Sequence, residues 1–490
     1  MIRNNAILIL NTFSIEEAGL FDDFLNSPFH NKNTKVIQLF NVLKKYHPHY
    51  NDDNISGENL FKELFGKLKY RESYIRNLFS DLNILAEKFL QYIHINNNYT
   101  YDKLLIEELN NRDITGLMEK KVRLFEKKIN TNKSRDEEFY GNRLFIYTML
   151  SFAKVDKTLT DRFREDQILS IIKSFMISLM ESSFYQLVEE QRVKIKHNYD
   201  FLIITLEYLK HHLSDFKDSP LLLIFYYLWV SLLNKNDDEN FTIAKNLFRK
   251  YFSVLTQADK KNIYSVMQVY YINKIDSGKD SYSRELLNLF LEMLKFNIVS
   301  HKENDIINLN LFRNIIVQCI KLNEIKILKK FILKYIIYVR SESRASMSAY
   351  SYAHLNFLQD NFEKALELCN EINFNDLLLS ANENLFFKND IKKLSLMCLY
   401  ELNSIESAMS NIDAHKHFLR NSRLIKENTR IRIMNFLGFV NDLLKLKINF
   451  DDFKLAYIKN KLLTSKELTG REWLLQKIEE MEKDVLNNKS

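Results

Sequence analysis

Phe357-Leu-Gln-Asp360-Asn361-Phe362-Glu-Lys-Ala365-Leu-Glu-Leu-Cys369 reads as the end of one helix, a polar turn and the start of the next. The preceding residues place Ala349, Ala353 and Phe357 at i, i+4, i+8. The following ones place Phe362, Ala365/Leu366, Cys369 and Ile372 on a second stripe. Both spacings are those of amphipathic helices. Asp and Asn suit the turn because their short polar side chains tolerate the left-handed conformation. The block recurs. Tyr400-Glu-Leu-Asn403-Ser404-Ile405-Glu-Ser-Ala408 and Ile320-Lys-Leu-Asn323-Glu324-Ile325-Lys-Ile-Leu328 repeat it, and Asn240-Phe241-Thr-Ile-Ala244 repeats its second half. Tyr282-Ser-Arg-Glu285 falls at the expected place with a weaker match. Second-helix starts are therefore expected at residues 241, 282, 325, 362 and 405. A two-helix unit repeating at this interval is the signature of an α-solenoid.

Composition points the same way. The chain has 490 residues but only 3 Pro and 8 Gly, where average usage would give roughly 25 and 35. Proline and glycine punctuate hairpins and tight loops, so their scarcity leaves little room for β-structure. Phe (36) and Tyr (25) supply bulky filling between helices. The expected fold class is all-α, an α-solenoid with a small helical N-terminal domain.

The block around Ala353 and Ala365 resembles a tetratricopeptide (TPR) repeat, in which a small residue, an aromatic and an alanine stand where Ala353, Phe362 and Ala365 stand here. The family's turn Gly is replaced by Asp360, its second small residue by Ile372 and its closing Pro by Leu377. The interval also exceeds the family's 34 residues. The resemblance is strongest over about residues 340–425 and extends back to about residue 200. The whole chain is also similar to large helical-repeat proteins of Bacteroidota. Both likenesses imply architecture and no chemistry.

Four domains are expected. Residues 1–100 form an N-terminal helical domain with helices over 13–26, 33–46, 58–66 and 71–94. Residues 101–215 are a long-helix connecting region, 216–425 the TPR-like repeats and 426–490 the capping helices. The apolar stretch Ala6 to Leu10 is too short for a signal peptide. The most apolar segment, Pro220 to Leu233, suits a buried helix better than a membrane span. Three scattered cysteines, Cys319, Cys369 and Cys398, argue for a reducing compartment and buried thiols. A cytoplasmic location is expected.

The formal charge is +7. Residues 1–100 carry 11 basic and 11 acidic side chains, residues 101–345 carry 39 and 32, and residues 346–490 carry 20 and 20. Spread over the middle of the chain, the excess fits a solvated helical surface.

No catalytic motif emerges. The two nearest glycines, Gly57 and Gly66, are too far apart for a phosphate-cradling loop. No histidine pair (His47/His49, His211/His212, His415/His417) shares a helix face with a third ligand. No catalytic residue, cofactor or metal ligand is expected. Two segments remain as candidate contacts. His415 to Arg432 concentrates cations, and a helix continuing through Arg420, Arg423 and Lys426 would align them, with Arg430 and Arg432 beyond, toward an acidic partner. Residues 58–90 resemble a helix-turn-helix hairpin in which Arg71, Arg76 and Asn77 lie on the polar side, open to nucleic acid. The expected function is a non-enzymatic interaction scaffold holding a protein or peptide partner along a helical groove. Nucleic acid is a less favoured partner, and no membrane partner is expected. The alternatives are a nucleic-acid-associated regulator and an enzyme with a dispersed site.

Overall fold

The structure, a computed structural model, describes residues 4–47, 50, 55–96, 99–152, 157–192, 196–234, 238–298, 307–422, 425 and 427–489. Among them the chain is all-α, with 23 α-helices and no strand. It divides into two compact units: residues 1–131 with 145–164, and residues 132–144 with 165–490. The division falls inside the span 101–215, not at residue 100.

The first unit contains α1 (Asn5–Leu10), α2 (Ile15–Asn26), α3 (Thr34–Leu43), α4 (Gly57–Phe65), α5 (Glu72–Asn96), α6 (Thr100–Asn111) and α7 (Thr115–Thr131). Helix α5 is its spine, because α1, α2, α3 and α4 all pack on it. Phe13 meets Phe21 and Phe89 there edge to face, as Phe21 meets Phe40, and Phe21 and Phe89 lie tilted, with all centroids 4.9–5.4 Å apart. Ser14 and Glu17 close a capping box that starts α2, satisfying backbone donors that a helix start leaves open. Helix α1 escapes sequence reading because six residues show too little periodicity. It is held from outside, by the Asn4 cap and by burial of Ala6, Ile7 and Leu10 in the core.

Helices α8 (Glu137–Phe152) and α9 (Lys157–Arg192) contribute to both units. The second unit continues with α10 (Asp200–His212), α11 (Pro220–Leu233), α12 (Asp238–Tyr251), α13 (Gln257–Asp276), α14 (Tyr282–Lys295), α15 (Leu309–Lys321), α16 (Ile325–Tyr335), α17 (Ser341–Leu358), α18 (Phe362–Glu371), α19 (Ala381–Glu401), α20 (Ile405–Asn421), α21 (Glu427–Ile448), α22 (Asp452–Thr464) and α23 (Arg471–Lys489). From α13 to α23 each helix packs on the next, and α15, α17 and α19 also pack on one another in sequence. Pro220 opens α11, where its missing N–H costs nothing. That helix is buried along most of its length, with Trp229 stacked on Phe184 and donating to the Met180 carbonyl at 3.1 Å. Phe163–Glu190 within α9 is the one helix stretch among the described residues long and apolar enough to cross a bilayer.

The repeated turn is real at the backbone level. Asn323, Asp360 and Asn403 have φ of 52°, 59° and 54°. In each, the next residue's N–H reaches back five residues: Glu324 to Cys319, Asn361 to Asn356, Ser404 to Leu399. This is the Schellman closure, and it lets a second helix begin immediately. A fourth copy lies unforeseen in the first unit, where Asp113 (φ 57°) is followed by Ile114 bonding to Leu109. Three residues beyond the first residue of α7, α16, α18 and α20, Met118, Leu328, Ala365 and Ala408 are fully buried, whereas the expected start at Phe241 lies three residues inside α12, with Ala244 buried beyond it. The expected start at Tyr282 is the first residue of α14, but the buried stripe that follows runs one residue later than in the other helices. Its fourth residue, Glu285, is exposed, whereas counting from the buried Ser283 reaches the buried Leu286. The cause is a longer turn, in which Gly278 (φ 91°) takes the left-handed place.

Candidate functional site

Helix α20 ends at Asn421 and α21 begins at Glu427, so no single helix carries Arg420 together with Arg430 and Arg432. Arg423 and Lys426 lie outside the described residues. Arg420 is exposed. Arg430 bonds Glu427 at 3.1 Å and the Ser422 carbonyl at 2.9 Å. Arg432 reaches Asp276 at the end of α13, 2.6 Å to the carboxylate and 3.3 Å to its carbonyl. His415 is fully buried, its Nε2 2.9 Å from Asn389 Oδ1. Burial, aided by Lys392 and Lys393, pushes its imidazole down to about 4.

Arg71, Arg76 and Asn77 are exposed at the start of α5, whose other face is in the N-terminal core. Arg71 is drawn onto Tyr74, its guanidinium 5.5 Å from the ring and Nη1 3.2 Å from the hydroxyl. Of the His47/His49 pair, His47 sits with Nε2 2.8 Å from the Phe13 carbonyl, and His49 lies outside the described residues. Among the described residues no group of three or more His, Cys, Asp or Glu is placed to hold a metal ion. Cys319, Cys369 and Cys398 are buried. Burial pushes the first two thiols up to about 12 and about 11, and the third higher, which suppresses the nucleophilic thiolate.

The structure assembles a charged cluster that local sequence reading could not find. Arg313 of α15 forks onto Asp390 of α19 at 2.6 and 2.9 Å, and Tyr350 of α17 donates to the same carboxylate at 2.8 Å. His354 lies one turn beyond Tyr350, with its Nε2 buried and unpaired. Burial pushes its imidazole down to about 4, with Arg313 and Lys393 adding to the shift against Asp390. Both Asp390 oxygens are occupied, so the carboxylate is a tie across three helices and a poor general base. A second tie centres on Asp238, which accepts from Lys274, from Tyr270 at 2.5 Å and from Tyr282 at 2.9 Å. Burial raises its pKa, but these bonds outweigh it and hold the carboxyl at about 2.

Two surfaces stand apart from these closed networks. Ile168, Ile171 and Phe175 line one face of α9, and Phe201, Ile204 and Tyr208 one face of α10. Each is 45–64% exposed, and the Phe175 and Phe201 rings meet at 5.8 Å. The other is the outer face of α16, where Lys326, Lys329, Lys330, Leu333 and Lys334 are all exposed. Its signal, cations spaced three and four apart without an acid, was diluted by counting charge over 245 residues. A shallow open depression on α20 is lined by Glu406, Ser407, Ser410, Asn411 and Ala414. Compared with known proteins, the chain matches no family model, no curated protein and no solved structure.

Proposed function

We propose that this chain is a non-enzymatic interaction scaffold, its second unit a TPR-like α-solenoid that offers helical surfaces to a protein or peptide partner. The recurring left-handed turn, the buried residue three positions beyond the start of α16, α18 and α20 and the helix-to-next-helix packing support the solenoid. The observation that carries the scaffold reading is the joined apolar stripes of α9 and α10. At these exposures the six side chains leave roughly 600 Å² of apolar surface in water, the upper end of what monomers tolerate. Their i, i+3, i+7 spacing suits an amphipathic helix laid across them.

The test is affinity capture from the source cell with the full chain, comparing wild type with Phe175→Glu/Ile204→Glu. A partner captured by the wild type and lost from the folded variant supports the reading. Equal capture by both moves the binding site elsewhere. A second reading, a nucleic-acid-associated regulator, draws on the exposure of Arg71, Arg76 and Asn77 along α5. Salt-dependent retention on duplex DNA, lost in Arg71→Glu/Arg76→Glu, would favour it.

A further inference from the structure

We infer that the outer face of α16 is a docking surface for an anionic lipid bilayer. The comparison that carries this lies inside the chain. Helices α16, α18 and α20 follow the same turn and bury the same fourth residue, so their outer residues correspond one to one. Where α18 exposes Glu363, Glu367 and Glu371, and α20 exposes Glu406, Ser410 and Ala414, α16 exposes Lys326, Lys330 and Lys334. Where the others expose Asn370 and Asp413, α16 exposes Leu333. The repeat therefore accepts acids and polar groups at these positions, and folding does not require cations or a leucine there. Lys329 adds a fourth charge, and no Asp or Glu occurs from residue 325 to residue 341. None of the four lysines has an ion-pair partner among the described residues.

The chemistry selects the occupant. At 100° per residue the four lysines and Leu333 fall within one arc, opposite the buried Leu328, Phe331 and Ile332. Leu333, 60% exposed, sits in the middle of the charge, and Ile337, 59% exposed, follows in the short turn beyond the helix end. Tyr335 and Tyr338, half-buried with rings 6.1 Å apart, flank its end. A phosphate backbone has no use for exposed aliphatic groups, and it favours Arg forks, of which α16 has none. A bound peptide would need a groove, and this is one helix's outward face. A bilayer needs neither. Lysines meet lipid phosphates as point charges, aliphatic tips enter the acyl boundary, and tyrosines suit the headgroup level. The expectation of no membrane partner rested on the lack of a spanning segment, and a surface contact requires none.

The test is co-sedimentation of the full chain with vesicles of phosphatidylcholine, either pure or carrying about one third phosphatidylglycerol. The wild type should bind only the anionic vesicles, and salt should weaken the binding. Lys326→Glu/Lys330→Glu/Lys334→Glu, which copies α18's acids, should keep the helical circular dichroism and bind at least about 100-fold more weakly. Lys326→Gln/Lys330→Gln/Lys334→Gln serves in its place if the reversal misfolds. Leu333→Asn, again α18's residue, should cost about tenfold. Three results would overturn the inference: no binding to anionic vesicles at low salt, undiminished binding by the charge variants, or vesicle binding matched by duplex DNA binding with both indifferent to Leu333→Asn. The last would assign the face to nucleic acid.

Discussion

Helices α16 and α18 are built alike and face water with opposite charge. Each follows a left-handed Asn or Asp, each buries its fourth residue, and each leaves the same side open. Inward positions are constrained by packing, so they hold Leu328 in one and Ala365 in the other within a common apolar pattern. Outward positions are free of that constraint, and there the chain sets lysine against glutamate. Such freedom is where two similarly built helices can acquire separate work.

The comparison breaks first at the buried position. Leu328→Ala should cost about 2–5 kcal/mol by opening a cavity, and Ala365→Leu about 1–3 kcal/mol by overpacking. Chemical denaturation that finds neither change would mean the two helices are not in phase. The next largest effect belongs to the first helices of the pairs, α17 with His354, and to His415 on the inner side of α20. Both imidazoles are held neutral when folded, at about 4 against the ordinary 6.5. Their contribution is complete above pH 6.5 and drains away as pH falls toward 4, because protonation then favours the unfolded chain. Between pH 7 and pH 5 each should account for about 2 kcal/mol of lost stability. His354→Leu/His415→Leu should flatten the profile of midpoints against pH, and an unchanged slope would assign the titration to other groups.

A smaller effect tests the shared turn. Asn323→Ala and Asp360→Ala should each cost about 1–2 kcal/mol, since a β-carbon without a polar tip is strained at positive φ. Asn323→Gly should be neutral or better, and equal melting temperatures for the Ala and Gly variants would contradict the backbone assignment. The smallest change is expected outside. Lys330→Glu on α16 and Glu367→Lys on α18 should each stay within about 0.5 kcal/mol, although the second breaks the 2.7 Å Lys364–Glu367 pair. A larger loss at Lys330 would mean that its charge serves folding after all.

The all-α class and the second-helix stripes were legible because they are local. Asn323, Asp360 and Asn403 declared themselves through neighbours that repeat with them. The copy at Asp113 did not, because Thr115 stands where the others place an apolar start. Tyr282 was read as a start and is one, but the stripe behind it is shifted by a residue, and Phe241 was read as a start although α12 begins at Asp238. The polar ties were illegible in principle. Arg313 and Asp390 are 77 residues apart, and only tertiary packing brings them together. The contacts made within 415–432 were illegible for the same reason: a tally of charges cannot see that His415 is buried or that Arg432 is paired with Asp276.

That last pair has a kinetic consequence. Asp276 and Arg432 are separated by 156 residues, while the helices between them pack mostly on immediate neighbours. Closing so long a loop before its interior is ordered would cost roughly 4–5 kcal/mol of chain entropy, far more than one half-exposed ion pair returns. The contact is therefore a late event in folding, made after α14 to α20 have docked and shortened the path between its ends. Arg432→Ala should accordingly leave the refolding rate unchanged and raise the unfolding rate, the pattern of an interaction absent from the transition state.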